Sequence, residues 1–121
     1  MKKILLVDDS ALMRSVLGDM INHDHRFHVE DKARDGEEAL EFLRKKKYDA
    51  VVLDINMPKM NGIDALGEII KIDPDAKIIM CSDQKYESMI MMALKKGAKD
   101  FVIKPFTSYD ILLAVKKLFG E

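Results

Sequence analysis

Three carboxylates and one ammonium stand where apolar runs stop. Ile4-Leu5-Leu6-Val7 leads into Asp8-Asp9, Ala50-Val51-Val52-Leu53 into Asp54, and Phe101-Val102-Ile103 into Lys104-Pro105. An ionised group at the end of a buried strand is costly unless it meets a cation or a hydrogen-bond partner, so packing alone does not explain these positions. Crowded carboxylates repel one another, and a hard divalent cation with oxygen ligands, Mg²⁺ first among them, makes the arrangement favourable. Lys104 adds a point charge suited to phosphoryl oxygens, and Ser82, after the apolar run 78 to 81, adds a hydrogen-bond donor. Asp54 is central and precedes a proline turn, which makes it the candidate nucleophile toward phosphorus. One such Asp could simply cap a helix, and one Lys before Pro could be a solvated turn residue. Asp8, Asp9, Asp54, Ser82 and Lys104 together, at four strand ends, point to a site.

The elements that must position these groups alternate along the whole chain. Apolar runs at 4 to 7, 50 to 53, 78 to 81 and 101 to 103 are short and nearly continuous, as strands covered on both faces should be. The run 27 to 33 alternates instead, which suits a partly exposed edge strand. Between them lie helical patterns such as Leu12, Val16, Leu17, Met20 and Ile21, or Ile63, Leu66, Ile69 and Ile70. Gly36, Pro58, Gly62, Pro74, Gly97 and Pro105 punctuate the series. Five strand-helix pairs in 121 residues predict one α/β domain over 1–121, an open doubly wound parallel sheet with helices on both faces. In such a sheet the ligand crevice lies beyond the carboxyl ends of the strands, where strand order reverses.

Asp8-Asp9, Asp54 within Asp54-Ile55-Asn56-Met57-Pro58, Ser82, and Lys104-Pro105-Phe106 resemble, in this order and length, the receiver domains of two-component response regulators. The resemblance covers the whole chain and implies a flavodoxin-like five-stranded sheet of order 2-1-3-4-5 with five helices. It implies that Asp54 accepts a phosphoryl group from a sensor histidine kinase. Asp9 would bind one Mg²⁺ directly, Asp8 through water, Asp54 through a side-chain oxygen and Asn56 through its backbone carbonyl. Lys104 would pair with the phosphoryl oxygens. Ser82 would swing toward the phosphoryl group and Phe101 would move inward behind it, switching the face of the fourth helix, fifth strand and fifth helix. Asn56 and Gln84 occupy positions that tune phosphoryl lifetime in the family. Activity is then confined to the chain's own phosphorylation and dephosphorylation, without enzymatic turnover.

Asp83 departs from the family pattern, which has a small residue after the switch hydroxyl. A fourth carboxylate there would either repel an incoming phosphodonor or point to solvent. Asn61, where many relatives have Asp, fits a turn role. His23, His25 and His28 lack zinc-site spacing and read as solvated. The nine methionines read as adaptable core, with an exposed member among Met89, Met91 and Met92 available to a partner.

Net charge −1 and pI near 6.3 give no basic face for nucleic acid. From residue 84 onward, however, seven lysines oppose four acids, which suits an acidic partner on the output face. Without a leader pattern or a membrane-length apolar run, a cytoplasmic monomer is expected. Met57-Pro58, the run 79 to 82 and the run 97 to 101 are similar to the CheY-like chemotaxis subgroup, whose partners are the flagellar motor switch and a phosphatase. A phosphorelay intermediate and a receiver cut from a DNA-binding regulator are the alternatives. From other classes, a flavoprotein is disfavoured because Asp8-Asp9 would repel a phosphate, and a Mg²⁺-dependent aspartyl-phosphate phosphatase would need a lid and a larger chain.

Overall fold

A computed structural model describes residues 1–83 and 86–120. The chain runs β1 (Lys2–Val7), α1 (Ala11–Asn22), β2 (Phe27–Ala33), α2 (Gly36–Lys45), β3 (Ala50–Asp54), α3 (Gly62–Ile72), β4 (Ile78–Ser82), α4 (Glu87–Lys96), β5 (Asp100–Ile103) and α5 (Ser108–Leu118). The strands form one parallel sheet of order β2-β1-β3-β4-β5, as expected. The alternating run 27 to 33 is indeed an edge strand, and its register with β1 shifts between Ile4 and Leu5.

Strand side chains alternate between two cores, because successive residues point to opposite faces of the pleat. Leu5, Val7, Val51, Leu53, Ile78 and Met80 pack with Ala39 and Leu40 of α2, Leu66 and Ile69 of α3 and Ala93 of α4. Ile4, Leu6, Val52, Ile79 and Cys81 pack with Leu17 and Ile21 of α1 and Ile111 and Val115 of α5. Two helices thus cover one face and three the other, so β1, β3 and β4 are buried on both sides.

Helix starts are set by polar caps. Ser10, Asp35, Asn61 and Thr107 each accept a backbone N–H from their own first turn, and Thr107 forms a capping box with Asp110. Asn61 is therefore the α3 cap, and Gly36 and Gly62 are the first residues of their helices rather than breakers before them. Gly97 closes α4 with φ 121°, a conformation that favours glycine. Lys46, just beyond α2, pairs with Asp31 of β2 at 2.8 Å and so ties the helix end to the edge strand.

α3 enters so close to β3 that only glycine fits at its first turn. A Cβ on Gly62 would lie 2.2 Å from the Asp54 carbonyl oxygen and 2.5 Å from the Ile55 Cα. Gly62→Ala is expected to cost about 2–3 kcal/mol of stability, as overpacking against backbone does. Urea unfolding of the two proteins checks this, and an unchanged midpoint would show that the loop before α3 yields.

Candidate functional site

β1 and β3 are neighbours, yet the chain leaves β1 toward β2 on one side and reaches β3 on the other. No helix crosses between their carboxyl ends, so a crevice opens there. Asp8 directly follows β1 and Asp54 ends β3; they are 1% and 3% exposed. Asp9 is exposed beside them. One oxygen from each of Asp8, Asp9 and Asp54 lies within 4.8 Å of the other two, the one such acidic or metal-ligating group among the described residues.

Backbone and side-chain contacts fix these carboxylates. Asp8 Oδ1 accepts the Ser10 N–H at 2.9 Å, and Asp54 Oδ1 lies 3.4 Å from the Asn56 backbone N–H. Lys104 reaches in from the end of β5, its Nζ 3.4 Å from both Asp8 Oδ2 and Asp54 Oδ1. Its own backbone N–H donates to the Ser82 carbonyl at 2.7 Å, which joins the β4 and β5 ends. The Lys104-Pro105 peptide is cis. Ser82 is fully buried at the end of β4, and Phe101 is half-buried against the core beneath α4. The expected residues Asp8, Asp9, Asp54, Asn56, Ser82, Asp83 and Lys104 therefore gather at one end of the sheet; Phe101 lies deeper along β5. Gln84 falls outside the described residues.

Electrostatics follow from this packing. Burial first, and the Asp8 charge second, push Asp54 up to about 6 against the pull of Lys104. Burial also works against the Lys104 ammonium, but Asp54 and Asp8 outweigh it and hold its pKa above the ordinary lysine value. Three carboxylates against one lysine leave a surplus of two negative charges, with Asp8 and Asp54 buried and Asp9 open to water. A set of carboxylate oxygens carrying that surplus can chelate a hard divalent cation.

Two contacts went unforeseen. Arg14 Nη1 donates to the Asp8 carbonyl at 2.8 Å. A cation so near a helix start opposes the helix dipole, and that oddity in the sequence was a usable signal. Asn56 Nδ2 donates to Asp83 Oδ1 at 2.7 Å, so Asp83 neither stands free nor simply faces solvent. Cys81, whose thiol burial pushes up to about 12, takes no part.

The raised Asp54 pKa has a consequence for stability. Between the unfolded value of 3.8 and about 6 the native state holds a proton that the unfolded chain has lost, so stability falls as pH rises through that window. The loss comes to about 3 kcal/mol for a shift of this size. Without divalent cations, Asp54→Asn is expected to be more stable than the parent chain at pH 7 by up to about that amount, and equal to it below about pH 4. Paired chemical denaturations across this range check it; a pH-independent difference would mean that Asp54 titrates normally.

Comparison with known proteins gives the same picture. The family model for the response regulator receiver domain matches residues 4–116. The chemotaxis protein CheY of Thermotoga maritima is 47% identical over 117 residues, covering 97% of each chain. A protein-glutamate methylesterase/protein-glutamine glutaminase of Pyrococcus horikoshii is 48% identical over 111 residues, 90% of this chain but 30% of that protein. In the crystal structure of the CheX-CheY-BeF3-Mg²⁺ complex from Borrelia burgdorferi, the matching chain superposes with a TM-score of 0.94 at 36% identity, covering 99% of this chain and 90% of that one. The family model spans most of the chain and the fold superposes along nearly all of it, so the chain belongs to the response regulator receiver domains.

Proposed function

We propose that residues 1–121 act as one phosphorylation switch of chemotaxis, with Asp54 accepting a phosphoryl group from the phosphohistidine of a sensor histidine kinase. The observation that carries this reading is the surplus of two negative charges around a nearly buried Asp54, with Lys104 shared between Asp54 and Asp8. An oxygen of Asp54 attacks phosphorus, the bond from phosphorus to the donor nitrogen breaks, and its electron pair leaves with the imidazole. Lys104 holds the phosphoryl oxygens as they turn toward Asp54. The divalent ion is read as Mg²⁺, which Asp9, Asp54, the Asn56 carbonyl and, through water, Asp8 would hold, and which would supply charge neutralisation for the transferring group. The Borrelia burgdorferi complex, which contains BeF3 and Mg²⁺, supports that choice.

Output then runs through the end of β4. Ser82 sits beside Asp54, since Asp54 pairs with Cys81 across the sheet, and Phe101 pairs with Met80 one strand further out. A phosphoryl group that binds one Ser82 position better than another shifts the population of both. Phe101 has no hydroxyl, so its inward position asks for no new hydrogen bond. The responding face is α4-β5-α5, where Met91, Met92, Leu94 and Tyr109 are exposed. The flagellar motor switch and a phosphatase are the proposed partners of a cytoplasmic monomer, supported by the likeness to chemotaxis protein CheY over 97% of each chain. No helix among the described residues is long and apolar enough to cross a membrane. A second reading, a receiver module within a longer regulator, is favoured by the equal identity to a protein of which this chain matches 30%.

Intact-mass analysis after incubation with acetyl phosphate tests the chemistry. One phosphoryl mass is expected in the parent chain with Mg²⁺, and none without Mg²⁺ or in Asp54→Asn. A folded parent chain that gains no mass would overturn the assignment of Asp54, and repeated turnover of many phosphates per chain would indicate a phosphatase.

A further inference from the structure

Asp54 and Cys81 are paired in the parallel register of β3 and β4. Two residues beyond each, at the same level above the sheet, stand Asn56 and Asp83, and the Asn56 Nδ2 donates to Asp83 Oδ1 at 2.7 Å. Both residues are exposed, so the bond covers no core. It joins the residues that follow β3 and β4 just beyond Asp54. A carboxylate only accepts, so the orientation of the Asn56 amide follows from chemistry: its NH₂ must face Asp83. The same Asn56 presents its backbone N–H to Asp54 Oδ1. Bonds of this kind with an ionised acceptor are stronger than neutral ones.

The geometry points to Asp83 as a positioning residue that acts through Asn56, strapping the β3 and β4 loops across the entrance to Asp54 in the resting protein. The inference rests on Asp54 as the phosphoryl acceptor. A phosphodonor must part the strap to reach Asp54, and its oxygens then compete with Asp83 for the Asn56 NH₂ group. The strap therefore restrains small, freely diffusing donors and commits the Asn56 amide away from the reacting centre until a phosphoryl group draws it in. Asp83 itself touches no reacting atom.

The test combines rates with a spectroscopic readout. With acetyl phosphate, an Asp54 oxygen attacks phosphorus and acetate departs with the electron pair of the broken phosphorus–oxygen bond; the rate is read by intact mass in saturating Mg²⁺. Asp83→Ala is expected to react about threefold faster or more, on the scale of an exposed charged contact. Asp83→Asn, whose side-chain carbonyl still accepts from Asn56 in a weaker neutral bond, should fall between the parent and Asp83→Ala. In an Asn56→Ala background, Asp83→Ala should change nothing. If Asp83→Asn matches Asp83→Ala, or if the two alanine effects multiply, Asp83 acts as a bare charge and the strap is overturned. In the unphosphorylated protein, the Asn56 side-chain amide signals in ¹H–¹⁵N spectra, identified by their loss in Asn56→Ala, should move in Asp83→Ala. Unmoved signals would also overturn the strap. That arm needs no phosphorylation, so failure of the parent chain to react would count against Asp54 alone while the amide signals still decide about Asp83.

Discussion

Two carboxylates held out of water at the ends of β1 and β3 against a single lysine, with a third carboxylate exposed beside them, are the constraint around which the molecule is built. Asp8 and Asp54 are nearly closed to solvent, Asp9 stands beside them, and Lys104 supplies one positive charge against three. Such a pocket is poor for stability, as the raised pKa of Asp54 records. It suits a divalent cation, which would offset the surplus and leave the Lys104 ammonium to the oxygens of a phosphoryl group. Groups with perturbed pKa values in a crevice are where function is to be sought, and here burial and like charge act together.

The rest of the fold holds that imbalance in place. Parallel strands direct every carboxyl end to one side, so Asp8, Asp54, Ser82 and Lys104 meet although 96 residues separate the first from the last. Two apolar cores, one on each face, anchor the central strands that carry the carboxylates. Local contacts finish the placement: Ser10 N–H on Asp8, the Arg14 guanidinium on the Asp8 carbonyl, and Lys104 N–H on the Ser82 carbonyl. Gly62 brings α3 against the backbone of Asp54 itself.

Against that rigid base, the output side is loosely held. α4 buries a single residue, Ala93, has no side-chain cap at Tyr86, and exposes Met91, Met92 and Leu94, while Met89 packs against the core. Every residue of β5 is partly exposed. A segment with few buried apolar contacts moves at low free-energy cost, which is what a signal carried outward from Asp54 requires. The exposed methionines adapt to a partner without demanding one shape.

Apolar runs of strand length, helical periodicity and polar strand ends were enough to establish the doubly wound α/β sheet and the membership of Asp8, Asp9, Asp54, Ser82 and Lys104 in one site. These are features of short segments, and burial pattern and turn chemistry are written locally. Asn61 was legible as a turn residue, but its hydrogen bond to the start of α3 was not, since cap geometry depends on where the helix begins. The unusual Asp83 was visible in the sequence, yet whether it faced solvent or a partner was open. Its bond to Asn56 joins positions 27 apart, and only the register of β3 on β4 brings them level. Residue types and spacing thus determined which groups gather at the strand ends; the tertiary structure decided their distances, their burial and the Asp54 pKa, because those arise from strands that meet across the sheet and not along the chain.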